Sequence, residues 1–581
     1  MAKKDYSNLT KDQLLEVIEK LEGKKKYGLV WDEEKVPEKV VTDCQVKLPV
    51  LTEVKGKEIN TDESEPTHIL IEGDNYHALS VLNYTHKGKI DLVYIDPPYN
   101  TGNKDFIYND KYVEKEDTWR HSKWLNFMHR RLSLAKELLA ADGAIFISID
   151  NNEHAQLKML CDKVFGEENY LTTFDIQVRY ADKSLNEEKP FKPLLEYVLL
   201  YAKNINAFKP NRPEVEYTSD KFIYEINELE EGKNFVINKQ EVTVFTKGEW
   251  KIVKHEQGDN SFLKETWISG SIYTTMSYGK VFQSVVEPRV KLDGLGCLYK
   301  VHGRGEDGLG YRYYTGPQKA NATRGKMYSG MPLERQDEMN TEAGAIRYLP
   351  IATFYDYSAE FGNIRHEGGV AFSSGKKPVT MLNQLINLHK RKNITVLDFF
   401  AGSGSLGHAV IDLNSADEGN RKFIICTNNE NNIAEEITFK RIKNVIKGWG
   451  SNKGLGNNLK YFKTSFVANN RNKDQLKIDI TKRCTEMLCL KEGIFNLLKE
   501  EADYKIFQQG KRYLAVYYDF ANVSLDELKE EMNALKGEKV LYCFTVDNHG
   551  LDKANFRGWK NIRLEPIPQK ILDVYKRIFK N

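Results

Sequence analysis

An acidic side chain, two prolines and an aromatic ring follow one another as Asp96-Pro97-Pro98-Tyr99. The run before them, Ile90-Asp91-Leu92-Val93-Tyr94-Ile95, is apolar and β-branched enough to predict a buried strand, and the prolines end its ladder pairing. Asp96 is thereby delivered to a strand's carboxyl end, the rim where open α/β sheets carry their chemistry. A carboxylate, a carbonyl made rigid by proline and a flat ring together suit a planar base with an exocyclic amino group. Asp96 Oδ and the Pro97 carbonyl can both accept from an N–H2, and Tyr99 offers a stacking face. Taken alone, Asp-Pro-Pro reads better as a strand followed by a Pro-rich turn.

A second motif lies far downstream. Asp398-Phe399-Phe400-Ala401-Gly402-Ser403-Gly404-Ser405-Leu406-Gly407 reads as strand, glycine turn and helix start. Glycines allow close backbone approach and positive φ, and a helix N-terminus favours a carboxylate or phosphate. Three ligands compete for such a turn. Gly402, Gly404 and Gly407 match a dinucleotide fingerprint. A phosphate loop is disfavoured, because His408-Ala409 stands where Lys-Ser/Thr is required. As Phe-x-Gly-x-Gly (Phe400, Gly402, Gly404) the turn resembles the S-adenosylmethionine-binding motif of methyltransferases, which makes that methyl donor the third candidate. After the next strand, Phe423 to Thr427, come Asn428-Asn429-Glu430. Glu430 is the candidate to accept from ribose hydroxyls, with Asn428 equally close to the strand.

The elements that must position these residues alternate. Strand, turn and helix run from Ile69-Leu70-Ile71-Glu72 through Gly73-Asp74-Asn75 to Ala78-Leu79-Val81-Leu82. After the Asp96 strand and a loop to Thr118, Trp124, Met128, Leu132, Ala135 and Leu139 line one helix face, and Ala144 to Ile149 is again a strand. This predicts a parallel, doubly wound α/β sheet of the Rossmann-like kind. Between about Ile176 and Phe372 the alternation is lost, and glycines, turns and aromatics beside basic residues prevail, as in Arg312-Tyr313-Tyr314. The α/β pattern then resumes at Val379. Thr10 with Gln13 forms a capping box for a short helix to about Leu21, with Leu9 stapled on Leu14, and a proline-dotted arm follows to Pro66. A Ser524/Glu527 capping box and strands at Tyr513–Tyr518 and Val540–Phe544 predict a small α/β unit at the end of the chain.

With both motifs in one α/β pattern, the chain resembles the amino-group DNA methyltransferases. In these, Asp-Pro-Pro-Tyr goes mostly with adenine N6 and Ser-Pro-Pro-Tyr with cytosine N4. Cytosine-C5 enzymes need a Pro-Cys nucleophile, and no such dipeptide occurs. The order of catalytic motif, insertion and donor motif resembles their β arrangement. Residues 67–170 and 372–467 resemble the modification subunit of type III restriction–modification systems. The resemblance implies Asp96, Pro97, Pro98 and Tyr99 as catalytic residues. It implies S-adenosylmethionine held by Asp398, Phe400, Gly402, Gly404 and Glu430, with Asp74 of Glu72-Gly73-Asp74-Asn75-Tyr76 and Lys377 of Phe372-Ser373-Ser374-Gly375-Lys376-Lys377-Pro378 beside it. It also implies a flipped adenine, a homodimer and docking to a helicase–nuclease restriction subunit. A solitary methylase, or a module that reads DNA for a nuclease, remains an alternative. The implied domains are an N-terminal helix and arm (1–66), a first methyltransferase-core part (67–175), a target-recognition domain (176–370), a second core part (371–467) and a C-terminal α/β domain (468–581).

Totals agree with a multi-domain soluble protein: 581 residues, 40% hydrophobic and 29% charged. A net charge of +2 offers nucleic acid little long-range attraction, so double-stranded DNA has to be held by local patches, with Lys104 and Lys111 as candidates. Seven scattered cysteines lack metal-ligand spacing, so no metal is expected and the thiols are expected to be reduced. Met1-Ala2-Lys3-Lys4-Asp5 has no apolar signal core, and no membrane-length apolar run follows, so a cytoplasmic protein is expected.

Overall fold

The structure is a computed structural model that describes residues 10–11, 13–15, 31 and 38–579, less 184–189, 269–276, 320–321, 323–324, 343, 373–374, 470–471, 520–524, 548–550 and 552. The Thr10/Gln13 capping box forms, with Thr10 N donating to Gln13 Oε1 at 3.0 Å and Gln13 N to Thr10 Oγ1 at 3.4 Å. Leu9, the end of that expected helix, Ser373, Ser374 and Ser524 lie outside the described residues.

A ten-stranded sheet organises the first compact unit, 1–211 with 352–581. Its strands are β1 (Lys47–Glu53), β2 (Thr67–Glu72), β3 (Ile90–Ile95), β4 (Leu139–Ile149), β5 (Tyr170–Gln177), β6 (Leu195–Ala202), β7 (Phe354–Asp356), β8 (Thr395–Asp398), β9 (Lys422–Thr427) and β10 (Asn458–Ala468). They are ordered β1-β10-β2-β9-β8-β3-β4-β6-β5-β7. The pairings from β10 across to β4 are all parallel, and their residues are buried on both faces, as near-continuous apolar runs require.

Four helices position the site: α1 (Lys39–Asp43), α2 (Asn75–Thr85), α3 (Arg120–Leu138) and α4 (Ser405–Asp417). Asp74 caps α2 by accepting from Tyr76 N at 2.7 Å. The chain leaves β3 toward β4 and leaves β8 in the opposite direction, toward β9. Between β3 and β8, which pair through Leu92 with Val396 and Val93 with Leu397, lies the switch point where such sheets bind ligands. Both motifs end at this point, which is why residues so distant in sequence meet.

Three expectations change. The stretch read as an arm to Pro66 contains α1 and β1, and β1 tolerates Pro49 because it is an edge strand paired only with β10. The loop after Tyr99 holds a two-stranded hairpin, Ile107–Tyr108 with Lys111–Tyr112. The second compact unit is Arg212–Ile351, narrower than 176–370, because β5, β6 and β7 all join the large sheet.

The 212–351 unit is built on an eight-stranded sheet whose pairings are antiparallel, with buried clusters around Val244, Tyr299, Val301 and Tyr314 and around Phe245, Leu298 and Tyr313. Tyr313 and Tyr314 are thus core residues, while Trp267 is 65% exposed with Lys326 Nζ 5.0 Å from its ring centroid. At the end of the chain a five-stranded sheet carries Arg512–Tyr517, Glu538–Phe544 and Ile562–Ile567, followed by α5 (Gln569–Phe579). Ile571, Leu572 and Tyr575 share one buried cluster with Leu48 and Val50 of β1, and the Tyr575 hydroxyl donates to the Pro49 carbonyl. All seven cysteines are free and buried. Among the described residues no helix is long and apolar enough to cross a membrane, and no cluster could hold a metal ion.

Candidate active site

A cavity of about 1240 Å³ opens at the switch point. Asp96, Pro97, Pro98, Tyr99, Asp398, Phe400, Gly402, Glu430, Asp74 and Lys377 all line it. Asn428 does as well, so both candidates for the ribose contact stand there. Gly404 does not. It caps α4 at φ +77°, and a Cβ there would meet Thr438 Cγ2 at 3.1 Å. Its missing side chain therefore serves the packing behind the turn.

The Asp96–Tyr99 turn is braced from several sides. Trp124 Nε1 on α3 donates to the Pro98 carbonyl at 2.7 Å. Asn100, fully buried at φ +56°, donates through Nδ2 to Glu153 Oε1 at 2.5 Å, and His121 Nδ1 lies 2.7 Å from the same oxygen. Burial raises the Glu153 carboxyl above the usual range, against the pull of Asn100 and His121.

Asp96 stands in a tight polar cluster. The Tyr99 hydroxyl is 2.8 Å from Asp96 Oδ1 and 3.0 Å from Glu196 Oε2, and its single hydrogen can serve either. Lys377 Nζ donates to Asp96 Oδ2 at 2.8 Å and to Tyr99 Oη at 3.0 Å, and lies 3.3 Å from Glu196 Oε2. Burial raises the Asp96 carboxyl above its ordinary value, Lys377 pulls it down and Glu196 pushes it up. Sequence reasoning missed Glu196. It is a lone carboxylate in the apolar run Leu195-Glu196-Tyr197-Val198-Leu199-Leu200, which by itself points to no role.

The other end of the cavity is built by β8, β9 and α4. Phe400 N donates to Asp398 Oδ1 at 2.8 Å, Ala401 N to the Cys426 carbonyl at 3.0 Å, and Thr438 Oγ1 to the Gly402 carbonyl at 2.6 Å, which fixes the glycine turn. Asp398 is 3% exposed, and burial holds its carboxyl well above the usual range. Asp74 is oriented from behind by Arg131, which is fully buried and grips Glu38 through two bonds of 2.9 and 2.7 Å. Arg131 also stacks 3.7 Å from the Phe127 ring centroid, and Phe127 leans on Phe400 at 5.8 Å. Glu38 and Lys39 line the cavity, and Lys39 N bonds to Asn109 Oδ1 of the hairpin at 2.7 Å. Of the phosphate candidates, Lys104 lines the cavity and Lys111 is exposed on the hairpin.

The residues at this end suit an amphipathic nucleoside with a charged tail. They supply an aromatic face (Phe400), a carboxylate at a strand end (Glu430), a close backbone turn (Gly402) and a helix N-terminus (α4). The opposite end suits a flat base bearing an amine.

A family model described as DNA methylase matches residues 90–440. The EcoPI Mod subunit of a type III restriction–modification enzyme from Escherichia phage P1 is 29% identical over 489 residues, 75% of this chain and 71% of that protein. The type II methyltransferase M.KpnI of Klebsiella pneumoniae is 30% identical over 402 residues, 67% of this chain and 88% of that protein. The chain spans between 52% and 71% of the length of the type III Mod subunits it matches. Among solved structures, PvuII DNA methyltransferase (cytosine-N4-specific) is 10% identical, covering 74% of this chain and 94% of that chain at a TM-score of 0.31. By the extent of the family match and of the M.KpnI alignment, the chain belongs to the N6/N4 DNA methylase family and is an enzyme of DNA methylation.

Proposed function

We propose that this protein transfers a methyl group from S-adenosylmethionine to the N6 of an adenine at a specific sequence in double-stranded DNA. The observation that carries the reading is one cavity lined both by Asp96-Pro97-Pro98-Tyr99 and by the Phe400–Gly402 turn. When bound, the donor supplies an electrophilic sulfonium methyl group. Phe400, Gly402, Asp398, Glu430 and Asp74 hold it.

The adenine amine has its lone pair delocalised into the ring and is a poor nucleophile. Asp96 Oδ and the Pro97 carbonyl take its two N–H bonds and turn the lone pair outward. The amine proton leaves during or after transfer, so neither a strong base nor a covalent nucleophile is needed. Orientation is the main contribution, and it is worth about 7 kcal/mol or more in well-aligned systems. The base is flipped from the duplex at a cost of a few kcal/mol, and stacking on Tyr99 returns about 1–3 kcal/mol of it. The 212–351 unit reads the sequence.

Similarity to the Mod subunits supports a modification subunit of a type III system that docks a restriction subunit. On our reading it acts in the cytoplasm as a homodimer. Similarity to M.KpnI supports the second reading, a methylase without that partner. Mass spectrometry and single-molecule sequencing of DNA treated with purified protein test the chemistry. N6-methyladenine at one sequence is expected, and methylcytosine alone would refute the assignment. Co-purification with a helicase–nuclease encoded beside the gene separates the two assemblies.

A further inference from the structure

Lys377 follows one lysine and precedes one proline, and the two lysines diverge. Lys376 Nζ donates to the carbonyls of Arg365 (2.9 Å), Glu367 (3.1 Å) and Val370 (2.7 Å), tying its segment to the helical turn at Ile364–Gly369. Lys377 turns the other way, with its side chain 8% exposed, and ends between Asp96 Oδ2, Tyr99 Oη and Glu196 Oε2. An ammonium has three donors, and each here has one oxygen. No donor is left for a carboxylate elsewhere in the cavity.

We propose that Lys377 is a positioning residue of the acceptor site: one buried ammonium that holds Asp96 and Glu196 together as carboxylates and aims Asp96 at the amine. This rests on the adenine reading above and departs from the place beside the donor that the family resemblance gives Lys377. Without it, Asp96 and Glu196 would share one tyrosine hydroxyl in a buried site, and like charges so close do not both stay ionised. A protonated Asp96 could no longer accept from both the tyrosine and the amine with both oxygens.

The titratable and charged groups facing Asp96 are Tyr94 on β3, Tyr99 in the turn, Glu196 on β6, Asp398 at the end of β8 and Lys377. Lys377 is the cation of that set, and its charge is held firmly by Asp96 and Glu196 against burial. Removing it and removing Glu196 must therefore move the ionisation of Asp96 in opposite directions. A residue that only packed would move neither.

The experiment follows methyl transfer in single turnovers by the full-length protein, with saturating donor and unmethylated genomic DNA, as a function of pH. Lys377→Met should slow transfer about 100-fold near neutrality. Its acid limb should move up by about one pH unit or more. Glu196→Gln should move the acid limb down, and Lys377→Met/Glu196→Gln, which removes one charge of each sign, should recover much of the lost rate. Donor affinity by equilibrium dialysis should stay within about threefold in all variants. A Lys377→Met enzyme with weakened donor binding but an unchanged saturated rate and pH profile overturns the proposal. So does an unshifted limb in Glu196→Gln, which keeps the test open if Lys377→Met fails to fold. Should the wild-type product be N4-methylcytosine, the adenine reading falls, while the two opposite shifts still decide the place of Lys377.

Discussion

In the proposed reaction Asp96 meets the amine as a hydrogen-bond acceptor, so its charge matters more than its size. Asp96→Asn keeps the shape and should lower the rate of transfer by about 100-fold or more. Donor affinity, measured by calorimetry, should stay within about threefold, because Asp398, Phe400 and Gly402 are untouched. Gly404 behaves differently. At φ +77° with Thr438 Cγ2 3.1 Å from the missing Cβ, Gly404→Ala should cost about 1–2 kcal/mol of stability, seen as a lowered Tm, with little loss of donor affinity. The sequence alone suggests that a side chain at 404 would block the donor. Asp96-Pro97-Pro98-Tyr99 and the Phe400 turn are legible because proline and glycine impose backbone geometry locally. Glu196 and Glu38 are not, since a single carboxylate in a strand or an arm carries no local signature and gains its place only from the fold.

At the scale of elements, α3 joins the two ends of the cavity. Its Trp124 braces the Asp96–Tyr99 turn, and its Arg131 fixes Asp74. Glu38→Ala would leave Arg131 buried without its bidentate partner, so about 3 kcal/mol of stability should be lost. Donor affinity should fall with it, because Asp74 and Phe127 would shift, and chemical denaturation with donor titration measures both. A second element-level prediction concerns His68 in β2. It stacks on Phe423 at 4.1 Å, accepts from Phe423 N through Nδ1 and reaches Asn457 Oδ1 through Nε2, an arrangement only the neutral ring can make. Burial pushes its pKa down to about 3. The unfolded chain takes up this proton near the ordinary histidine value, so the stabilisation is complete above it and is lost as pH falls. Between about pH 6.5 and 5 the loss is about 2 kcal/mol, which calorimetry across that range would record. The core strands and helices were legible from their apolar periodicity. Strand β1 was not, because Pro49 and its polar flanks suit an edge, and β6 was missed because a turn-rich segment follows it.

For the whole molecule, the compact 212–351 unit has its own sheet and buried clusters. Exchanging it for the matching unit of a related methylase should change the sequence methylated and leave the methylated atom unchanged. Methylation mapping decides this, and a folded, active chimera of unaltered specificity would overturn the division of labour. Light scattering of the purified chain at micromolar concentration tests the homodimer; a 67.1 kDa species that methylates at full rate would count against it.

The interleaving of β8, β9 and β10 among strands that precede them also sets a timetable for the nascent protein. When the ribosome has made β2 and β3, their lateral neighbours do not yet exist: β2 waits for β9 and β10, and β3 for β8. The 212–351 unit emerges before them and can settle early on its own short-range pairings. A polypeptide cut short between residues 351 and 395 therefore carries a whole 212–351 unit and an unfinished large sheet, with open strand edges that expose it to aggregation and to proteases.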